Sequence, residues 1–530
     1  QYAFIVSLGG LIFGLDAAII SGTTHFISTE FQLTDLRLGA VVSAPGFGVL
    51  FALLAAGYLS DRYGRKKTLK LIASLYVLSA VFSALAPSFL ALVAARFIGG
   101  LAFTSLSLAS MYIGEIAPSH MRGKLVSMNQ INIVIGLSSA YFINYLILQA
   151  SGSGAAWVES IGMDQHTWRW MLGAEILPAL GWLFLLFRIP ESPRWLVMVG
   201  RSEEAMRILG EVQPEVEPEQ FVKEIEKSAH LEGKGLSTFD QVKMLFKPHM
   251  RTAFIIGLVV AVVQPITGIN AIMFYAPMVF EQVGIGTDAA FAQAIYVGLS
   301  STVFTVLALL LIDRIGRRPL ILWGLLWAVG SLAVCSVGFG MATYELSAES
   351  VQHLMAQPDL AKSLDVASLQ PMVGQSFDSD VAFKNALKTI LGENSLRAHQ
   401  GILIQAAGQM DATLILIGIL SFIGAFHFSI GPIMWVIFSE IFPIKTRGIA
   451  IPFFALVTSV ISYLVQQFFP WQLSVMGISE VFLFYASLSA LGLLLLIRFL
   501  PETKNKSIEE IELALAQKPA RQPDPAFETN

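Results

Sequence analysis

Twelve stretches of about twenty apolar residues each constrain this chain more than anything else in it; they lie at 2–22, 38–59, 69–86, 89–114, 125–148, 168–188, 253–280, 289–312, 320–342, 412–438, 448–469 and 475–499. A helix needs roughly 20 apolar residues to cross the hydrocarbon layer of a bilayer, and there every backbone amide must find its partner internally. Strands meet that condition only in a closed barrel of alternating segments of about ten residues. These runs are about twice that length and apolar on every face, so the fold class is an all-α polytopic membrane protein with twelve transmembrane helices. Composition agrees: 55% of the 530 residues are hydrophobic and 14% charged, against about 25% charged in a soluble domain. A mean hydropathy of +0.66 leaves too little polar surface for a soluble enzyme. With a net charge of −4 there is no basic surplus for nucleic acid, and the lipid bilayer is the expected partner. The single cysteine, Cys335, cannot form an intrachain disulfide. Residues 1–22 read as a span and not as a cleavable signal.

The basic residues set an expected orientation. Arg62, Arg65, Lys66, Lys67, Arg122, Lys124, Arg314, Arg317, Arg318, Lys445 and Arg447, with the cluster from Arg188 to Arg251, all fall in alternate connections. The other side carries little beyond Arg37, Arg169 and a few lysines. The positive-inside rule places the basic side, and both termini, in the cytoplasm of a plasma or bacterial inner membrane. The stretch 190–250 then divides the chain into an N-terminal six-helix half, 1–189, and a C-terminal half, 251–499, followed by a cytoplasmic tail at 500–530. Within the linker, 202–212 and 219–232 have the pattern of short amphipathic helices; the tail suggests one more at 507–517.

The halves repeat one another. Asp61-Arg62-Tyr63-Gly64-Arg65 is echoed by Asp313-Arg314-Ile315-Gly316-Arg317, and Glu115-Ile116-Ala117-Pro118 through Arg122-Gly123 by Glu440-Ile441-Phe442-Pro443 through Arg447-Gly448. Two pseudo-symmetric bundles are the expected result. A polar insert at about 343–411, between spans nine and ten, interrupts the duplication. It suggests a short helix near 380–391 and reads either as a passive extracytoplasmic cap or as a partner-binding or regulatory lid.

Arginine-rich short loops are expected on the cytoplasmic side of any membrane protein, which explains the charge but not the repeated spacing. Asp61, Arg65, Glu115 and Arg122 in one half, with Asp313, Arg317, Glu440 and Arg447 in the other, have the composition of a charge-assisted network. The expectation is a cytoplasmic gate, bonded between the halves in one state and broken in the other. Glu191 and Arg194 in Pro190-Glu191-Ser192-Pro193-Arg194, and Glu502 in Pro501-Glu502-Thr503-Lys504, sit at the ends of spans six and twelve and are candidate members.

Taken in order, the pattern Gly9-Gly10-Leu11-Ile12-Phe13-Gly14-Leu15-Asp16, both Asp-Arg-x-Gly-Arg turns, Pro190 through Leu196, Gly268-Ile269-Asn270 and Pro501 through Lys504 resembles the sugar porters of the major facilitator superfamily over nearly the whole chain. The resemblance implies the major facilitator fold, a central solute site and alternating access by rocking of the bundles.

Asp16, Arg96 and Glu175 are ionisable residues inside apolar runs, where each costs at least a few kcal/mol on insertion scales. They read either as a buried pair that locks the N-terminal bundle or as a proton switch. Burial and a nearby arginine act in opposite senses on a carboxyl's hold on its proton, so movement of Arg96 relative to Asp16 changes proton affinity between states. The three positions match those that look, in proton-coupled bacterial xylose symporters, like the coupling network. Facilitative animal glucose carriers typically lack the equivalent of Asp16.

A sugar exposes hydroxyls that both donate and accept, so a site for one needs amides and aromatic faces. Span seven offers Gln264, Asn270 and Tyr275 around Pro265, Gly268 and Pro277, which should break the helix. Span ten offers Gly431-Pro432 and Trp435, and span five Gln130 and Asn132. By resemblance, Gln130, Gln264, Asn270 and Trp435 fall on sugar-contacting positions and Phe13 on an aromatic wall. The chain departs from the family pattern at Pro265, Ser301 and Ser459, where glutamine, asparagine and tryptophan are usual. His427 stands where several members have a sugar-binding acid, and is either a ligand contact or a satisfied core donor. The smaller Ser459 makes a ketose, polyol or cyclitol as plausible as glucose or xylose.

The function implied is proton-coupled symport of a monosaccharide, hexose or pentose, with uniport of a sugar or polyol and a transport-dead sugar receptor as the competing readings. No catalytic constellation, metal cluster or nucleotide loop is seen, so no enzyme activity and no cofactor other than the coupling proton is expected, and a monomer should suffice.

Overall fold

The computed structural model describes residues 1–118, 121–213, 217–223, 245–357, 363–442 and 444–504, with single positions 225, 243, 360, 506, 510 and 511. Eleven of its helices are long and apolar enough to span a bilayer: Tyr2–Gly22, Asp35–Tyr63, Arg65–Ala84, Phe89–Ile116, Lys124–Ser151, Arg251–Phe274, Thr287–Ile315, Arg317–Gly340, Ala412–Ile441, Ile449–Met476 and Ile478–Phe499. These are spans one to five and seven to twelve. Span six, expected as one run, is two shorter helices, Thr167–Gly173 and Ile176–Leu185, meeting at Ala174 and Glu175. Spans four, seven and ten are interrupted as well. Span four divides into Phe89–Ala102 and Ser105–Ile116; span seven breaks at Gly268, whose φ of +84° is open to glycine, and again at Tyr275; span ten breaks at Ser429.

Loop chemistry explains the helix starts. Thr34 and Ser88 accept from Arg37 and Ala91 amides at the starts of spans two and four. Spans three and nine begin instead on Gly64 and Gly316, with φ of +92° and +108°. The linker helix expected at 202–212 is present as Ser202–Val212. Most of 219–232 and of 507–517 lies outside the described residues.

The face carrying the basic turns and the face carrying the insert are packed differently. On the basic side, Ala3, Ile12, Leu69, Tyr76, Tyr112, Ala179 and Ile189 belong to a core confined to the N-terminal half. On the insert side, Leu15, Val41, Tyr141 and Trp168 share one continuous core with Ile269, Tyr275, Phe422 and Phe469 of the C-terminal half. The hydrogen bonds seen between the halves lie at mid-membrane or towards the insert side. Ser43 bonds Gln467 Oε1 at 2.8 Å, and Gln467 Nε2 donates to the Leu36 carbonyl at 2.8 Å. Tyr141 donates to the Met273 carbonyl at 2.6 Å, and the Ser138 and Thr302 hydroxyls meet at 2.8 Å. Gly39 lies so close to span eleven that a β-carbon there would stand 2.0 Å from the Gln467 carbonyl.

The insert is more structured than a polar loop with one helix. Strands Thr343–Glu345, Ser376–Phe377 and Gly408–Gln409 form an antiparallel sheet with the first in the middle. Helices Ala348–Met355, Asp380–Leu391 and Glu393–Ala407 pack beside it. Tyr344, Val351, Phe383, Leu387 and Leu403 form its own buried core.

Candidate functional site

The basic turns are built twice from the same parts. In the N-terminal half Arg65 bonds Glu115 at 3.1 Å and Asp61 at 3.0 Å. In the C-terminal half Arg317 bonds Glu440 at 2.9 Å and Asp313 at 3.0 Å. Glu191 accepts from the Lys66 amide at 2.9 Å, capping span three, and Glu502 accepts from the Arg317 and Arg318 amides at 3.1 Å, capping span nine. Both carboxylates therefore sit at the positive ends of helix dipoles. Each needs its glycine, since a β-carbon on Gly64 would lie 2.5 Å from Glu191 Oε2 and one on Gly316 2.6 Å from Glu502 Oε2. Arg447 turns back onto the Phe442 carbonyl at 3.2 Å, and Arg194 is exposed. The side chain of Arg122 lies outside the described set. Among the described residues the ion pairs of these turns each stay within one half, Arg65 and Arg317 each finding carboxylates in their own bundle; bonds between the halves belong to the other state of the expected gate. Capping by Glu191 and Glu502 was legible only as position at a span end.

Asp16, Arg96 and Glu175 are brought together from spans one, four and six, and all are buried. Arg96 Nη1 donates to Asp16 Oδ1 at 2.6 Å, and its Nη2 donates to the Asp16 carbonyl at 3.0 Å. Glu175 stands at the break in span six with its carboxyl against that of Asp16. Gly99 leaves room there: its β-carbon would reach 3.5 Å from Asp16 Oδ2 and 2.6 Å from Ser79 Oγ. The paired Tyr76 and Ser105 hydroxyls, 3.1 Å apart, close the neighbourhood. Among the described residues no donor reaches Asp16 Oδ2 or Glu175 Oε1 and Arg96 Nε finds no acceptor, although all three are buried. Buried polar atoms are seldom left so.

The expected solute-binding residues separate into two groups. Gln130 and Asn270 are half-buried, and their amides make no hydrogen bond among the described residues. Among the described residues Gln264 Oε1 and His427 Nε2 are buried and unpartnered, His427 meeting Thr305 through Nδ1 at 3.2 Å. Trp435 is exposed and meets Phe438 edge-on, and Phe13 meets Phe103 edge-on at 4.7 Å. Tyr275 departs from expectation. It is fully buried, donates to the Gln466 carbonyl at 2.8 Å and lies against Phe469, so it holds the broken span seven to span eleven and is not free for a solute. Asn132 is likewise engaged, donating to Ser7 at 2.8 Å. Ser301 returns its hydroxyl to the Val297 carbonyl. The residues that join the halves, Ser43, Ser138, Thr302 and Gln467, escaped sequence reading; lone polar side chains in apolar runs were their only signal.

Two six-helix bundles around broken helices, with a buried ion pair in one of them, define a multi-pass membrane protein of the major facilitator fold. The chain belongs to the family described as "Sugar (and other) transporter", whose model matches residues 2–356 and 396–515. It is 33% identical over 506 residues to an arabinose-proton symporter of Bacillus subtilis, covering 95% of this chain and 92% of that one. It is 32% identical over 541 residues to the D-xylose-proton symporter of Escherichia coli, covering 96% and 94%. The structure is similar to the inward-open conformation of the xylose transporter XylE from E. coli, with a TM-score of 0.70 at 29% identity, covering 97% of this chain and 98% of that one. XylE bound to 6-bromo-6-deoxy-D-glucose gives a TM-score of 0.65 at 30% identity, covering 97% and 98%.

Proposed function

We propose that this protein carries a monosaccharide across a cell membrane together with protons, by alternating access and as a monomer, with the basic face and both termini in the cytoplasm. The observation that carries the coupling is the buried cluster of Asp16, Arg96 and Glu175, in which two carboxyls meet and one oxygen of each has no donor among the described residues. Two carboxyls and one guanidinium are neutral together only when one proton is bound, and a low-dielectric interior favours neutrality. A proton arriving at Asp16 weakens its carboxylate bond to Arg96 and loosens span one from span four, while the bond to the Asp16 carbonyl remains; a proton leaving restores it. The relatives named as arabinose-proton and D-xylose-proton symporters support this reading.

Gln130, Gln264, Asn270, His427 and Trp435, with Phe13 behind them, are the solute-binding set. Gln264 Oε1 and His427 Nε2, without partners among the described residues, are atoms that a polyhydroxylated ligand satisfies. The shared core on the insert side and the separate one on the basic side make this an inward-facing state. The two capped Asp-Arg-Gly-Arg turns, with Arg122, Arg194 and Arg447, form the gate: closed within each bundle here, they exchange partners across the halves when the cytoplasmic side shuts.

Uptake into proteoliposomes under an imposed pH gradient, across a panel of arabinose, xylose, galactose, glucose and polyols, tests the proposal. Accumulation above the external concentration that collapses with the gradient is expected for at least one sugar. Equilibration without accumulation makes the protein a uniporter, and binding without uptake makes it a receptor.

A further inference from the structure

The family match leaves out residues 357–395, within the insert between spans nine and ten. That insert is nevertheless folded and seated. Lys384 Nζ donates to Gln282 Oε1 at 2.7 Å and to Asp380 Oδ2 at 2.7 Å, tying helix Asp380–Leu391 to the segment after span seven. A β-carbon on Gly401 would touch Glu281 and Thr287 at 3.4 Å, one on Gly286 would stand 2.7 Å from Gln405, and one on Gly477 2.8 Å from Asp380. The insert thus rides on the ends of spans seven, eight and twelve, all in the C-terminal half.

From that seat helix Glu393–Ala407 reaches the other half. Arg397 Nη2 donates to Asp35 Oδ1 at 3.3 Å and to Glu393 Oε1 at 2.6 Å. Asp35 is the first residue of span two, one helical turn before Gly39. The same helix packs on Thr24–Glu30, the short helix after span one, whose His25 lies within electrostatic reach of the buried Glu281. Arg397 and Asp35 are 18% and 33% exposed, so their pair is only partly screened by solvent.

We propose that the insert is a clasp, carried by the C-terminal half, that grips Asp35 and helix Thr24–Glu30 of the N-terminal half and holds the insert-side entrance shut. Rocking that parts Gly39 from Gln467 also draws Asp35 away from Arg397, so the clasp must release whenever that entrance opens. It biases the carrier toward the state seen here without touching the solute or the proton. The inference rests on the alternating-access reading.

The test uses the full-length protein with Cys335 replaced by serine and a cysteine at position 43, which faces Gln467 across the closed entrance. Labelling by a membrane-impermeant maleimide from the insert side reports opening and requires neither sugar nor proton gradient. Asp35→Asn and Arg397→Gln should each raise the labelling rate about three- to tenfold, and the double variant no more than the larger single effect, because both break one pair. Gln467→Ala, which severs the direct contact, should raise it too. If Gln467→Ala accelerates labelling while the Asp35 and Arg397 variants, melting like their parent, do not, the insert is a passive cap and the clasp is refuted. If none of the three moves the rate, rocking at this entrance fails along with the clasp. Accelerated labelling of the variants of a parent that takes up no sugar would leave the clasp standing and count against the transport proposal alone.

Discussion

Arg96 holds Asp16 by two different atoms: one terminal nitrogen bonds the carboxylate at 2.6 Å and the other the backbone carbonyl of the same residue at 3.0 Å. The guanidinium therefore reads the position of span one through the backbone and its protonation through the side chain. Losing the carboxylate bond alone leaves span one tethered. Movement and titration are thus linked without being identical.

The Asp16→Asn variant retains a side-chain oxygen for Arg96 and removes the titratable group. It should bind sugar within about threefold of the parent and exchange labelled sugar across the membrane. Accumulation driven by a pH gradient should disappear. Counterflow and gradient-driven uptake measured on the same proteoliposomes separate these outcomes, and accumulation persisting in the variant defeats the assignment.

Among the proposed solute contacts, Gln264→Ala and His427→Ala should each weaken sugar binding by about tenfold, the loss of roughly one good hydrogen bond. Tyr275→Phe is the contrast. Its hydroxyl serves Gln466, so affinity should stay within about twofold while stability drops by about 1 kcal/mol. Titration calorimetry and thermal melting of the purified variants give the two numbers; a large affinity loss in Tyr275→Phe would return that residue to the binding site.

Substituting either turn glycine meets two obstacles at once, a positive φ and a capping carboxylate within 2.5 to 2.6 Å of the new β-carbon. Gly64→Ala and Gly316→Ala should each cost about 1–3 kcal/mol. Glu191→Gln, which keeps an acceptor at the start of span three, should melt higher than Glu191→Ala. Equal melting temperatures for the two glutamate variants would show that the cap contributes little.

In the insert, hydrogen bonding from Lys388, followed by the charge of Arg397, holds the Glu393 carboxyl below its ordinary value of 4.5. Because the folded-state value is depressed, the contribution is complete above 4.5 and fades as pH falls through the lowered value. Glu393→Gln should therefore melt below the parent near neutrality, with the gap closing as the pH falls below 4.5 and through the lowered value. A gap that is constant with pH would place its origin elsewhere.

Much of this was written in the sequence because the bilayer simplifies the problem. Apolar runs of fixed length can only be helices there, and the repeated Asp-Arg-x-Gly-Arg turns mark corresponding places in the two halves. The residue types at the ion pair were equally plain, since Asp16, Arg96 and Glu175 are costly in an apolar run unless they meet. The break in span six escaped the linear reading although it was signalled: Gly173 precedes Ala174 and Glu175, and Pro178 lacks the amide that would bond back to the Ala174 carbonyl.

What the sequence by itself determined is the number of spans, the duplicated plan and the set of polar side chains that the membrane forces together. Only the tertiary structure decided which partner each of them took. Tyr275 and Asn132 look like solute ligands in a linear reading, yet they are consumed by helix packing, whereas Gln264 and His427 keep buried atoms free. The basic turns bond within their own bundles, and Glu191 and Glu502 cap helices, because hydrogen bonds form between whichever groups the packed bundles bring within about 3 Å. That distance depends on which side of the molecule is closed, and two halves with the same motifs admit both answers until they are seen packed.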